Sequence, residues 1–98
     1  MQSVADLKSV CTLLLHDKFG PIAIVDNEVG TIFTPYACDD RFFAAVSRLD
    51  DGWASTFAVE REDVEWRRCS TCEEAFAALS LSVAKFNWRS YAPLQTVQ

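Results

Sequence analysis

The sequence is poor in the residues that build several common functional motifs. It contains three glycines, three prolines, one histidine and one methionine among its 98 residues. So few glycines exclude the glycine-rich loop that cradles a phosphate group. The single histidine, His16, has no second histidine at metal-ligand spacing. We interpret His16 as a surface residue that is favoured near the carboxyl end of a helix.

Long apolar runs are also lacking, although half of the residues are hydrophobic. The longest unbroken runs, Phe42–Val46 and Ala75–Leu79, have five residues each, far short of the ~20 residues that span a bilayer. A signal peptide is not expected, because Asp6 occupies the place of a cationic region and no small-residue cleavage site follows Leu15. We therefore expect a packed, cytoplasmic domain with no membrane partner.

Positive charge is scarce. Nine basic and 14 acidic residues give a formal net charge of −5. This sign argues against direct binding to nucleic acid or anionic lipid, and it suits a basic protein partner. Cations mix with aromatic residues at Arg67-Arg68 and along Lys85–Tyr91, as in single-strand binders. The overall charge favours the simpler interpretation, in which the arginines are solvated and the aromatic residues fold back on the core.

Hydrophobic spacing in the first part of the chain predicts a helix and then a hairpin. Apolar residues recur in steps of 3, 4 and 3 over Ser3–Lys18, with Ser3 as the cap, and Gly20-Pro21 ends the helix. The β-branched runs Ile22–Val25 and Thr31–Thr34 flank turn residues, which predicts a hairpin with a loop of about five residues.

The second part repeats this pattern. Phe42 to Leu49 has helical spacing, so we predict a helix over about 40–50, with a strand over Phe42–Leu49 as the alternative. Strands are predicted from Trp53 to Val59, with one bulky and one small face, and around Val64 to Trp66. A final amphipathic helix is predicted from Cys72 to near Asn87, with a capping box of Thr71 and Glu74.

Together these elements predict an α+β fold. Two hairpins give a roughly four-stranded antiparallel sheet that packs with about three helices as a two-layer sandwich, in the order α-ββ-α-ββ-α. The segment that starts at Cys38 also matches the one that starts at Cys72 at an offset of 34, which suggests an internal pseudo-repeat. We expect a single domain over 1–92 and a C-terminal tail over 93–98.

The four cysteines are Cys11, Cys38, Cys69 and Cys72. In a reducing compartment they are expected to be thiols. Cys69 and Cys72 have a CxxC spacing, but a closed zinc site needs four ligands and a redox pair needs a thiol of lowered pKa at a helix start. We therefore expect structural thiols, with no metal and no cofactor. A small cysteine-based metal or thiol-redox module remains an alternative.

Acidic residues outnumber basic ones, and none of their arrangements in the sequence indicates a catalytic site. Adjacent acids at helix starts or turns are ordinary caps and turn formers, so we predict no catalytic residue and no enzyme. The acids around the second predicted hairpin could steer the chain onto a basic partner. These predicted partner-binding residues are Asp50, Asp51, Glu60, Glu62, Asp63 and Glu65.

In size, charge and layout the chain is similar to phage-encoded inhibitors, including anti-CRISPR proteins. That resemblance implies a small acidic interaction protein that inhibits or regulates a partner by occupying its surface, with a basic nucleic-acid-binding protein as the first partner class. The alternatives are the cysteine module above and a homo-oligomeric structural or accessory protein that acts through a sheet edge. The tryptophans are the second candidate surface: Trp53, Trp66 and Trp88.

Overall fold

A computed structural model describes residues 3–35, 42–59 and 64–86 of the chain. Along the described chain, one helix is followed by five strands and then by a second helix. Their bounds are α1 Val4–Phe19, β1 Ile22–Asn27, β2 Gly30–Pro35, β3 Phe42–Leu49, β4 Gly52–Val59, β5 Arg67–Cys69 and α2 Cys72–Lys85. The predicted tail over 93–98 lies outside the described residues.

The five strands form one antiparallel sheet in the chain order β1-β2-β3-β4-β5. Both helices pack on the same face of this sheet, and they also pack against each other. Because each strand simply follows its neighbour, the turn between β1 and β2 lies at the same end of the sheet as the turn between β3 and β4. The α+β class and the antiparallel sheet are therefore confirmed.

The first helix begins and ends as its sequence predicts. Ser3 and Asp6 form a capping box, in which each side chain accepts a hydrogen bond from the other residue's amide. The fully buried stripe is Leu7, Cys11, Leu15 and Phe19. Its spacing of four residues places one side chain on the sheet at every turn of the helix.

The first hairpin is tighter than predicted, because only Glu28 and Val29 separate its paired strands. The Asn27 side chain accepts hydrogen bonds from the amides of Val29 and Gly30 at 2.8 and 3.2 Å, and so fixes the turn. Gly30 is needed for close approach, since a Cβ atom there would lie 2.1 Å from the Val46 carbonyl oxygen. The hairpin itself is confirmed.

The last helix has the predicted cap and buried face. The Thr71 hydroxyl accepts from the Glu74 amide at 3.1 Å, whereas the Glu74 carboxylate accepts from the Ser70 amide at 2.9 Å. In a standard capping box the carboxylate would accept from the amide of the N-cap residue Thr71; here the donor is the amide of Ser70, one residue earlier. Phe76 and the rest of the stripe are buried against α1 and the sheet; the fully buried residues of α2 are Ala75, Phe76, Leu79 and Val83.

The prediction of a helix over about 40–50 is wrong, and the alternative of a strand over Phe42–Leu49 is confirmed. The sheet consequently has five strands rather than four, and the described residues contain two helices rather than three. The physical reason is that β3 is central and carries apolar residues on both of its faces. Phe42 and Val46 face the helices while Ala45 faces the other side, and all three are buried, so strict alternation of polarity is lost.

The sequence match at an offset of 34 is not a structural repeat. Phe42 lies in β3, whereas its counterpart Phe76 lies in α2. Leu15 in α1 likewise corresponds to Leu49 at the end of β3. The matched residues share an apolar character because both segments contribute to the core, not because they share a fold.

Candidate protein-docking surface

The face of the sheet opposite the helices carries a cluster of exposed apolar side chains. Strand residues alternate between the two faces, and those that alternate with the core residues point away from both helices. Five large apolar side chains line one depression there, and we call them the open-face patch. They are Val25, Val29, Ile32, Phe43 and Trp66, with exposed fractions of 52%, 62%, 43%, 37% and 45%.

Trp66 reaches this face because the segment before β5 crosses toward it. The Thr56 hydroxyl donates to the Glu65 carbonyl oxygen at 2.7 Å, which ties that segment to the middle of β4. The Trp66 ring then meets Phe43 edge to face, with ring centroids 6.2 Å apart. Ala54, beneath Trp66 on β4, is small enough to leave room for the indole ring.

Two shallow depressions meet at Trp66. The first, of about 380 Å³, contains the open-face patch. The second, of about 410 Å³, lies between Trp66, Leu49 and Arg68. Both depressions are lined by Ser47, so Trp66 stands between them as a ridge. A partner could therefore insert an apolar side chain on either side of the indole ring.

Charged groups lie at the margin of this surface rather than within it. Arg68 lines the second depression, and its guanidinium donates to Asp51 at 2.7 Å. Asp50 lines a third depression, of about 340 Å³, between the β1–β2 and β3–β4 turns, with Val29 and Arg48. An apolar centre with charged groups at its rim is the usual anatomy of a protein interface.

The predicted partner-binding acids do not form one cluster in the part that the structure describes. Asp50 and Asp51 lie in the turn before β4. Glu65 lies beside Thr56, five residues along the strand from Asp51, or about 16 Å at the usual rise per residue. This exceeds the Debye length of about 8 Å at physiological salt, so their charges act separately. The other predicted acids, Glu60, Glu62 and Asp63, lie outside the described residues.

The second candidate surface, formed by the tryptophans, is divided by the sheet. Trp53 packs against the core on the helix side, whereas Trp66 lies on the open face. Trp88 lies outside the described residues. The patch contains residues that sequence reasoning missed as a group, namely Val25, Ile32 and Phe43. Their common face becomes apparent only once the register across β1, β2 and β3 is known.

The three described cysteines are free thiols, and the pKa of each is raised. Burial raises the pKa of Cys11 to about 12, and its thiol contacts the Phe76 carbonyl oxygen at 3.6 Å. Burial also raises the pKa of Cys69 and of Cys72, and the charges of Glu74 and Glu73 add to the respective shifts. A redox cysteine needs the opposite shift. Cys38 lies outside the described residues.

Within residues 3–35, 42–59 and 64–86, no three histidine, cysteine, aspartate or glutamate residues come together as metal ligands. His16 is exposed in the last turn of α1, where its carbonyl oxygen accepts from the Gly20 amide at 2.9 Å. Neither helix described by the structure is long and apolar enough to cross a membrane.

Comparison of the chain with protein-family models, with curated proteins and with solved structures gave no match.

Proposed function

We propose that the chain is a non-enzymatic interaction protein that inhibits or regulates a partner protein by docking its open-face patch on the partner's surface. The observation that carries this proposal is the gathering of five large, exposed apolar side chains in one depression. Contiguous apolar patches on soluble domains mark interaction sites more often than single exposed residues do.

The composition of the patch supports a docking role over a merely exposed surface. Trp66 and Phe43 are aromatic and contact each other, and aromatic anchors dominate the energetics of protein interfaces. The aliphatic members Val25, Val29 and Ile32 surround them without contributing charge. A partner that covers the patch would remove this apolar area from water, which is the main driving force of association.

The charges of the chain indicate the chemistry of the partner. The patch is uncharged, whereas Glu28, Asp50 and Asp51 lie in the two turns at one end of the same sheet. A partner with an apolar projection next to basic groups would match both features. The resemblance in size and charge to phage-encoded inhibitors, including anti-CRISPR proteins, makes a basic nucleic-acid-binding protein of the cytoplasm the partner class that we propose.

The proposal can be tested by comparing single charge insertions at two exposed apolar positions. Ile32→Lys places a charge within the patch, whereas Leu13→Lys places one on α1, where the exposed fraction is 70%. The tagged wild-type chain and the Leu13→Lys variant should retain the same partner from a lysate of the native cells. Ile32→Lys should lose it while keeping its thermal unfolding midpoint.

Binding of the purified partner then measures the contribution of the anchor. Trp66→Ala should raise Kd about 30-fold, which corresponds to about 2 kcal/mol for an interface hot spot. Apolar burial should also give a negative heat-capacity change of binding. If Ile32→Lys and Trp66→Ala bind the partner as tightly as Leu13→Lys does, the open-face patch is not the docking surface.

A further inference from the structure

The two borders of the sheet differ in how they are protected against strand addition. At one border, β5 has only three residues, two of which are the exposed Arg67 and Arg68, and α2 begins three residues after it ends. Short strands and charged side chains are the usual protection of a sheet edge. At the other border, β1 has six residues, and the described part of the chain pairs no strand with its outer side.

Within the residues that the structure describes, β1 lacks the features that normally protect an edge. Its pairing with β2 is continuous from Ile22 opposite Pro35 to Asn27 opposite Gly30, without a bulge. It contains no proline and no lysine, and Ile24 and Val25 have exposed fractions of 43% and 52%. Its one charged residue, Asp26, is bound by the Lys8 ammonium group and the Thr31 hydroxyl. An edge of this kind is a template for another strand.

The hydrogen-bond pattern shows which groups β1 offers. The Arg48 amide donates to the Val29 carbonyl oxygen at 2.7 Å. The peptide groups of Val29, and of every second residue of β2 after it, therefore point toward β3. Antiparallel pairs alternate between bonded and non-bonded, so Ile24, which faces Phe33, directs its amide and carbonyl away from β2. The same alternation turns the peptide groups of Ile22 and Asp26 outward.

We propose that β1 pairs antiparallel with β1 of a second copy of this chain, across a two-fold axis at Ile24. Ile24 then bonds to Ile24 of the partner subunit, and Ile22 and Asp26 bond to the partner's Asp26 and Ile22. This register uses every outward peptide group of the three residues and gives six backbone hydrogen bonds. An axis at Val25 would leave Ile22 opposite the turn residue Glu28 and give only four.

Charge complementarity favours a second copy in this antiparallel orientation. Asp26 faces Ile22 of the partner subunit, so the two Asp26 carboxylates do not lie opposite each other, as they would in a parallel pair. The acid-bearing turns of one copy, with Glu28 and Asp50, lie far from the same turns of the other. Instead, the β1–β2 turn lies near the partner's last turn of α1, where the Lys18 ammonium group is 3.7 Å from the Asp17 carboxylate, so the acids of the turn meet no unbalanced negative charge there. The two-fold also closes the assembly, because the described part of each copy has one such edge.

The test is the mass of the full chain in solution, measured by sedimentation from about 1 μM to about 1 mM. The wild type should shift from the mass of one chain to that of two as concentration rises. Ile24→Lys and Ile24→Glu place like charges opposite each other across the axis, and each variant alone should stay at the mass of one chain. An equimolar mixture of the two variants should recover the mass of two chains.

Ile32→Lys is the matched control, because Ile32 and Ile24 have the same exposed fraction of 43% and only Ile24 lies on the edge. Circular dichroism checks that every variant is folded. Ile32→Lys should dimerise like the wild type, even if it no longer binds the partner of the open-face patch. The proposal is overturned if the wild type stays a single chain at about 1 mM, if Ile32→Lys alone prevents dimerisation, or if the mixture stays monomeric.

Discussion

Truncation of Phe76 gives the most direct measure of what holds the two layers together. Its ring on α2 is only 2% exposed and lies in the core between α1 and the sheet. The Lys8 ammonium group lies 5.7 Å from the ring centroid, and the Cys11 thiol contacts the carbonyl oxygen of the same residue. Phe76→Ala should therefore lose apolar burial and leave a cavity, at a cost of about 3–5 kcal/mol.

That loss is a large part of the total stability. A domain of this length is stabilised by about 5–15 kcal/mol, and each kcal/mol shifts Tm by about 4–8 °C. Phe76→Ala should lower Tm by more than about 10 °C and reduce the urea midpoint at an unchanged slope.

Leu81→Ala is the matched control for this measurement. Leu81 lies on the same helix with an exposed fraction of 49%, and the substitution also ends in alanine, so both variants carry the same helix propensity at the new residue. We expect it to cost less than about 1 kcal/mol. A loss below about 1 kcal/mol for Phe76→Ala, or equal losses for the two variants, would refute the placement of this α2 face in the core.

Three further predictions follow from single contacts. Gly30→Ala should destabilise the fold by at least about 1 kcal/mol in urea unfolding, because a Cβ atom would meet the Val46 carbonyl oxygen; an unchanged midpoint contradicts this. In the native protein, mass spectrometry after alkylation should find Cys69 and Cys72 modified before Cys11, which is fully buried and has a pKa of about 12. The hydrogen bond from Lys8 lowers the pKa of Asp26, so the ionised Asp26 stabilises the fold. That stabilisation is present above the usual pKa of 3.8 and is lost as pH falls through the lower pKa of the folded state. Asp26→Asn should remove that part of the acid dependence. The free energy of unfolding should change by less than about 1 kcal/mol, because the pair is exposed. An acid transition equal to that of the wild type would contradict this prediction.

The sequence predicted α1, α2 and β4, whose two sides differ in polarity, but the strand predicted around Val64 to Trp66 lies instead at Arg67–Cys69. α1 and α2 each bury one face and expose the other, so their spacing and caps, Ser3 and Thr71, located them well. β4 was also predictable, because its bulky residues face the helices and its small ones, such as Ala54, lie under Trp66. These local signals agree with the tertiary packing, as consistent folds require.

The same logic explains why β3 was predicted wrongly. Phe42, Val46 and Leu49 have a spacing that fits a helix, and the alanines between them are good helix formers. The central position of β3 in the sheet decides the outcome, because its peptide groups bond to both β2 and β4. When a strand has two apolar faces, the local spacing of its residues does not reveal this long-range pairing.

The open-face patch is harder to predict from the sequence because its residues lie far apart in the chain. Val25 and Trp66 line the same depression although 41 positions separate them in the numbering. The predicted acids lie close together in sequence, yet in space Asp51 lies before the start of β4 and Glu65 lies beside its middle. Charge density along the chain therefore overestimates how strongly acids reinforce one another, whereas apolar residues converge once the strands pair.

The two proposed surfaces do not compete for the same groups. The edge of β1 would bind through outward peptide groups, while the open-face patch would bind through side chains perpendicular to the sheet. Val25 belongs to both regions: it lies on β1 and it lines the patch. In the proposed dimer, Val25 lies opposite Ala23 of the partner subunit on the open face, so the two patches become neighbours on one continuous sheet.

A dimeric or repetitive partner would then meet two anchors at once, and the affinity of linked sites of this kind can exceed that of either site alone by about 10²–10⁴-fold. Ile24→Lys should remove that gain while leaving the affinity of a single patch intact, which separates the contribution of the edge from that of the face.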